Sequence, residues 1–107
     1  MKRSYRHSSI DWTMKLKALA DESRLKIIRE LLKHDASVSN LSKALDIKIY
    51  NISRHLKILE TCGLVNKRKE GNSRIYSLSD IVKRSYSSRH QTLDLGCCKF
   101  MFNELKK

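Results

Sequence analysis

Proline is absent from this 107-residue chain, and glycine occurs only at Gly63, Gly71 and Gly96. So few chain breakers exclude a collagen-like or linker-rich protein, and each glycine becomes a candidate turn. Cysteine is nearly as scarce. The three present, Cys62, Cys97 and Cys98, cannot close into an even disulfide framework, which fits a reducing compartment. No stretch approaches the roughly 20 apolar residues of a spanning helix. The opening Met1-Lys2-Arg3-Ser4-Tyr5-Arg6-His7 lacks the apolar centre of a signal peptide, so a cytoplasmic protein with no membrane partner is expected. A glycine-rich phosphate loop, an acid pair and a C-x-x-C motif are all missing, and the expectation is that the chain is not an enzyme.

Negative charge is the other shortage. Eleven acidic residues stand against 23 Lys and Arg, a formal charge of +12, while 40% of the residues are hydrophobic. That apolar content is enough to fold, so the chain reads as a basic globular domain and not a disordered basic tail. Clustered cations on a folded surface gain affinity by releasing counterions from a phosphate backbone, which makes nucleic acid the leading partner. The length suits one domain over residues 1–107, with a core from about 9 to 91 and a C-terminal segment from 92 to 107.

Apolar spacing divides the chain. Trp12, Leu16, Leu19 and Ala20 lie on one helical stripe beginning near Ser9. Asp21-Glu22-Ser23 then supplies a cap and a first turn for a second helix carrying Leu25, Ile28, Leu31 and Leu32 to about His34. A third, short helix carries Val38, Leu41 and Leu45, and a fourth carries Ile52, Leu56 and Leu59 and closes at Gly63. The period then approaches two in Leu64–Lys69 and again in Arg74–Leu78, around a Glu70-Gly71-Asn72-Ser73 tip whose Gly and Asn suit positive φ. A fifth helix is expected from Asp80 to about Gln91, with Ile81, Val82 and Tyr86 as a narrow stripe available to a second subunit. Thr92 to Phe102 reads equally as a strand or as a frayed tail.

This order predicts a mainly α fold with a two-stranded β wing, a winged helix-turn-helix that acts as a dimer. Between Lys48 and Arg74 stand seven basic residues against Glu60 and Glu70, a local charge of +5. With the apolar positions of the fourth helix committed to the core, Lys48, Tyr50, Asn51, Arg54, His55 and Lys57 are left as the candidates for meeting DNA. Tyr50 and Asn51 sit at the helix start, where base edges are met, and an Asn amide can pair with adenine. Arg54 suits either a guanine or a phosphate. His55 suits bracing the helix as well as it suits DNA. On the hairpin, Lys67, Arg68, Lys69 and Arg74 suit phosphate contacts, which add affinity without sequence choice. A protein or RNA interaction module is the competing reading.

The runs Leu16–Ile27, Ile52–Val65 and Arg68–Leu78, with their S-x-H-L-x-x-L and G-L-V motifs, resemble the ArsR/SmtB family of dimeric repressors over about residues 12 to 82. The resemblance implies a homodimer formed by the first and fifth helices, operator binding at rest, and release by an inducer. Two familiar ligand sites are not matched. Ser37 and Ser39 stand where metal-sensing relatives carry cysteines, and Val82 stands where a fifth-helix histidine is expected beside Asp80, while His90 has no partner at a suitable spacing. What remains is the vicinal pair Cys97-Cys98 beside Lys99. It suits a thiophilic metal or metalloid, or an oxidant, and equally suits inert packing. Cys62 reads as packing. The inducer is not identified by any residue.

Overall fold

In the computed structural model the described residues are 13–94 and 99–104. Residues 13 to 19 are helical (α1), followed by α2 (Glu22–Lys33), β1 (Ala36–Ser37), α3 (Val38–Leu45) and α4 (Ile49–Thr61). The hairpin is β2 (Val65–Glu70) and β3 (Ser73–Leu78). After it come α5 (Asp80–Ser85), β4 (Tyr86–Ser87), β5 (Thr92–Asp94), β6 (Lys99–Met101) and a 3₁₀ turn at Phe102–Glu104.

Each helix starts and stops for a local reason. The Asp21 carboxylate accepts from Arg24 N at 3.0 Å, capping α2, and Ser37 Oγ accepts from Asn40 N at 3.2 Å, capping α3. The α3–α4 turn rests on Asp46, a non-glycine residue at φ +55, and on mutual bonds between Ser42 and Ile47. At the far end of α4, Gly63 N donates to Glu60 O and Leu64 N to Leu59 O, with Gly63 at φ +77. That pair of bonds is a Schellman closure, and it turns the chain directly into the wing.

One apolar cluster joins these elements. Ile27, Ile28 and Leu31 of α2, Leu41 of α3, and Ile52, Leu56 and Leu59 of α4 are buried together with Leu64 ahead of the hairpin and Val65, Tyr76 and Leu78 within it. Each fully buried Leu or Ile contributes roughly 1.5–3 kcal/mol. The three-stranded sheet runs β1-β3-β2, and its antiparallel register sets Val65 opposite Leu78, Lys67 opposite Tyr76 and Lys69 opposite Arg74. Those six residues share the face turned toward the core, and Asn66, Arg68 and Glu70 lie on the other.

Two expectations are corrected. At the wing tip positive φ falls on Gly71 alone, at +62, and Asn72 does not adopt it, as in a type II′ turn. The fifth helix stops at Ser85, well short of Gln91. Ser85-Tyr86-Ser87-Ser88 is a run of weak helix formers, and tertiary pairing outbids the remaining helical turns. Tyr86 pairs with Leu93 and Leu93 with Phe100 in a second antiparallel sheet, β4-β5-β6, and Gln91 makes the turn at φ +52. The Tyr86 ring meets Phe102 edge-on, with centroids 6.3 Å apart. Val82, Leu93 and Phe102 are buried in the same cluster as the helices, so much of the stripe expected to face a second subunit is used within the chain. No helix among the described residues is long and apolar enough to cross a membrane.

Candidate nucleic-acid interface

α4 commits Ile52, Leu56 and Leu59 to the core and turns its opposite side outward. Tyr50 is 72% exposed, and the Arg54 guanidinium, one turn later on the same stripe, lies over its ring at 5.8 Å. Lys57 continues that stripe and is exposed, and Asn51 is half-buried beside it. Lys48 is the N-cap residue but gives no side-chain capping bond, and the first turn holds no acidic residue. The leading N–H groups of α4 therefore keep a partial positive charge beside an exposed cation, an arrangement that favours phosphate. α2 and α3, by contrast, have their N-termini closed by Asp21 and Ser37.

His55 is set differently from its neighbours. It is half-buried, and its Nδ1 accepts from the Arg24 guanidinium at 3.2 Å. Burial is the main cause that holds its pKa below the ordinary histidine value. Asp21 pulls it back up, while Arg24 and Arg54 push it further down. Its geometry is that of a brace between α2 and α4.

The wing's four cations divide by strand alternation. Arg68 lies on the outer face and is tied to two carboxylates, Asp35 at 2.8 Å and Glu70 at 2.7 Å, which raise its already high pKa. Lys67, on the inner face, reaches Glu60 of α4 at 3.7 Å and so links wing to helix. Lys69 and Arg74 are exposed and have no carboxylate partner among the described residues. Near the tip, Arg74, Asn72 and Ser73 line a groove of about 320 Å³ with Ser37, Val38 and Ser39 from the start of α3. Ser37 and Ser39 thus face the wing, and Ser37 also caps a helix. Cys62 is half-buried and its thiol donates to Met14 O at 3.6 Å, a packing role.

Cys97 and Cys98 lie outside the described residues. Among those described, no three His, Cys, Asp or Glu side chains come together as a metal site. Sequence reasoning missed Ile49, which is 53% exposed at the start of α4. Its spacing from Ile52 and Leu56 continues the core stripe, so periodicity alone counts it as buried.

The sequence pattern described as the bacterial regulatory protein, arsR family, matches residues 21–67. The transcriptional activator HlyU of Vibrio cholerae is 45% identical over 64 residues, covering 60% of this chain and 59% of HlyU. A solved structure of HlyU from that species superposes with a TM-score of 0.64 at 41% identity, over 68% of this chain and 79% of that one. The arsenical resistance operon repressor of Bacillus subtilis is 36% identical over 70 residues, 64% of this chain and 67% of the relative. The homodimeric winged helix-turn-helix DNA-binding domain Mb0332 of Mycobacterium bovis has a TM-score of 0.67 at 27% identity, over 70% of this chain and 69% of that chain. The chain thus spans about 59% of the length of its 45%-identical curated relative. With this fold and these likenesses together, the chain belongs to the ArsR family of winged helix-turn-helix transcriptional regulators, a family of DNA-binding proteins and not of enzymes.

Proposed function

We propose that this protein is a sequence-specific regulator that binds duplex DNA as a homodimer, represses transcription at rest, and is released by a thiol-reactive or metal or metalloid signal. The observation that carries the DNA reading is the distribution of charge. Arg68 and Lys67 are paired inside the chain, while Lys48, Arg54, Lys57, Lys69 and Arg74 remain without carboxylate partners among the described residues. Unpaired cations on a reading helix and a wing suit a polyanion.

In this reading Tyr50, Asn51 and Arg54 meet base edges, and Ile49 offers an aliphatic contact to a thymine methyl. Lys48, Lys57, Lys69 and Arg74 hold phosphates, with Lys67 and Arg68 fixing the wing at their side. His55 supports the helix from behind. Homodimerisation rests on the likeness to Mb0332, and repression on the likeness to the Bacillus subtilis repressor. With α5 only six residues long, its share of a dimer interface falls to the C-terminal sheet.

For the signal, Cys97 and Cys98 supply two adjacent soft ligands beside a lysine that favours thiolate, and a dimer whose C-terminal segments pack together across its twofold axis would bring four thiols close. The test selects a preferred duplex from a random pool and follows its release by fluorescence anisotropy after adding arsenite, zinc or a thiol oxidant. Release in the native chain and none after replacing both cysteines by serine supports this reading. A preferred duplex that none of the agents releases removes the sensor and leaves the DNA binding.

A further inference from the structure

Arg24 joins three helices with one side chain. It stands in the first turn of α2, where its backbone N–H donates to Asp21. Its Nε donates at 2.5 Å to Ala18 O, a carbonyl in the last turn of α1, where helical partners run out. Its Nη1 meets His55 Nδ1 of α4 at 3.2 Å. A guanidinium can only donate, so Nδ1 is the acceptor and the neutral ring carries its proton on Nε2.

The apolar anchors of α4 do not by themselves fix how the helix is turned. Contacts through Ile52, Leu56 and Leu59 are non-directional and tolerate a small roll or slide. The Arg24–His55 bond is directional. It also sits next to Arg54 and one turn after Asn51, so a shift at His55 displaces both. We propose that Arg24 is a positioning residue for DNA reading, a strap from the α1–α2 corner that sets the orientation of α4, and that it holds only while His55 Nδ1 carries no proton.

The reason is charge and valence. A protonated imidazole donates from both nitrogens, so the bond from Arg24 is lost and two cations are left face to face. Arg54, on His55's own helix, opposes protonation too, and Asp21 ahead of α2 favours it. Lys17 of α1 and Cys62 after α4 line the same groove as Arg24, with Met14, Ala18 and Ile58. Partial burial of His55 further disfavours the cation. The strap is therefore closed at neutral pH and opens on acidification.

This inference rests on the DNA-binding reading above, and its test separates the two. Anisotropy is measured on the preferred duplex and on a random duplex at fixed salt, at two pH values, about 7.5 and about 5.5, either side of the usual histidine range. The chains compared are the native protein, Arg24→Gln, and His55→Gln, whose amide oxygen accepts a bond and never titrates in this range. The quantity read is the preference, the ratio of the two affinities, because the other histidines alter overall charge equally on both duplexes. Arg24→Gln is expected to lower the preference about tenfold at neutral pH with little change on random duplex. The native preference is expected to fall at the acidic value while that of His55→Gln holds. If native and His55→Gln preferences fall together, or Arg24→Gln keeps the native preference, the strap is overturned. Should Arg24→Gln fail to fold by circular dichroism, the native and His55→Gln comparison across pH decides alone. A native chain with no preference for any duplex at neutral pH overturns the DNA reading itself.

Discussion

Lys69 and Arg74 stand directly opposite each other across the wing, two cations on one face of an antiparallel pair. Like charges in that position destabilise a hairpin, so the chain keeps a locally unfavourable arrangement where a polyanion would relieve it. Replacing Lys69 with Ala should therefore leave thermal stability unchanged or slightly raised. It should also weaken binding to all duplexes alike, reducing the slope of log affinity against log salt by about one unit.

Arg68 should behave in the opposite way. Its guanidinium is occupied by Asp35 and Glu70, so Arg68→Ala is expected to lower the melting temperature by freeing the wing from the α2–β1 loop. The salt slope should move less than it does for Lys69→Ala. A full unit of slope lost with Arg68 would show that the carboxylates give way to phosphate.

Arg54 is exposed and stacked on Tyr50. Arg54→Ala should cost about 1–3 kcal/mol on the preferred duplex and distinctly less on random DNA, measured by competition anisotropy. Equal losses on both would reassign Arg54 to phosphate.

Gly63 at φ +77 can be tested without DNA. An added Cβ would meet only the Lys15 ammonium at 3.8 Å, an ordinary contact, so Gly63→Ala isolates the backbone penalty. About 1–2 kcal/mol of stability should be lost in urea unfolding, with the slope of the transition unchanged.

His55 adds a pH dependence of stability whose sign follows from its depressed pKa. The unfolded chain takes up this proton at a higher pH than the folded chain does. Stability is then fully present above the unfolded pKa and is lost as pH falls toward the folded one. Urea midpoints taken from neutral to mildly acidic pH should fall more in the native chain than in His55→Gln.

The helices from α2 to α4 and the wing were legible because their signals are local. Asp21 caps within three residues, Gly63 ends a helix at a fixed offset, and Ile52, Leu56 and Leu59 repeat within one element, whereas the Ser37 cap of α3 emerged only from the structure. What escaped depends on partners distant in sequence. Tyr86 leaves the helical path because Leu93 and Phe102 offer it a sheet and a ring. Of the four wing cations, Lys67 is paired only because Glu60 arrives from α4, and Arg68 adds Asp35 of the α2–β1 loop to the Glu70 of its own strand. Ile49 obeys the core period yet lies beyond the end of the core. Bracing was one of the two readings open for His55, but its partner Arg24 was hidden, since 31 residues separate two groups that meet in space.

If α4 and the wing form a DNA-reading face, a salt titration of duplex binding should reveal it. With the reduced native chain on its preferred duplex, anisotropy at stepped salt should give a steep linear fall in log affinity, shallower for Lys69→Ala and for Arg74→Ala. Binding that is weak and flat with salt, or a slope that neither substitution changes, would contradict it.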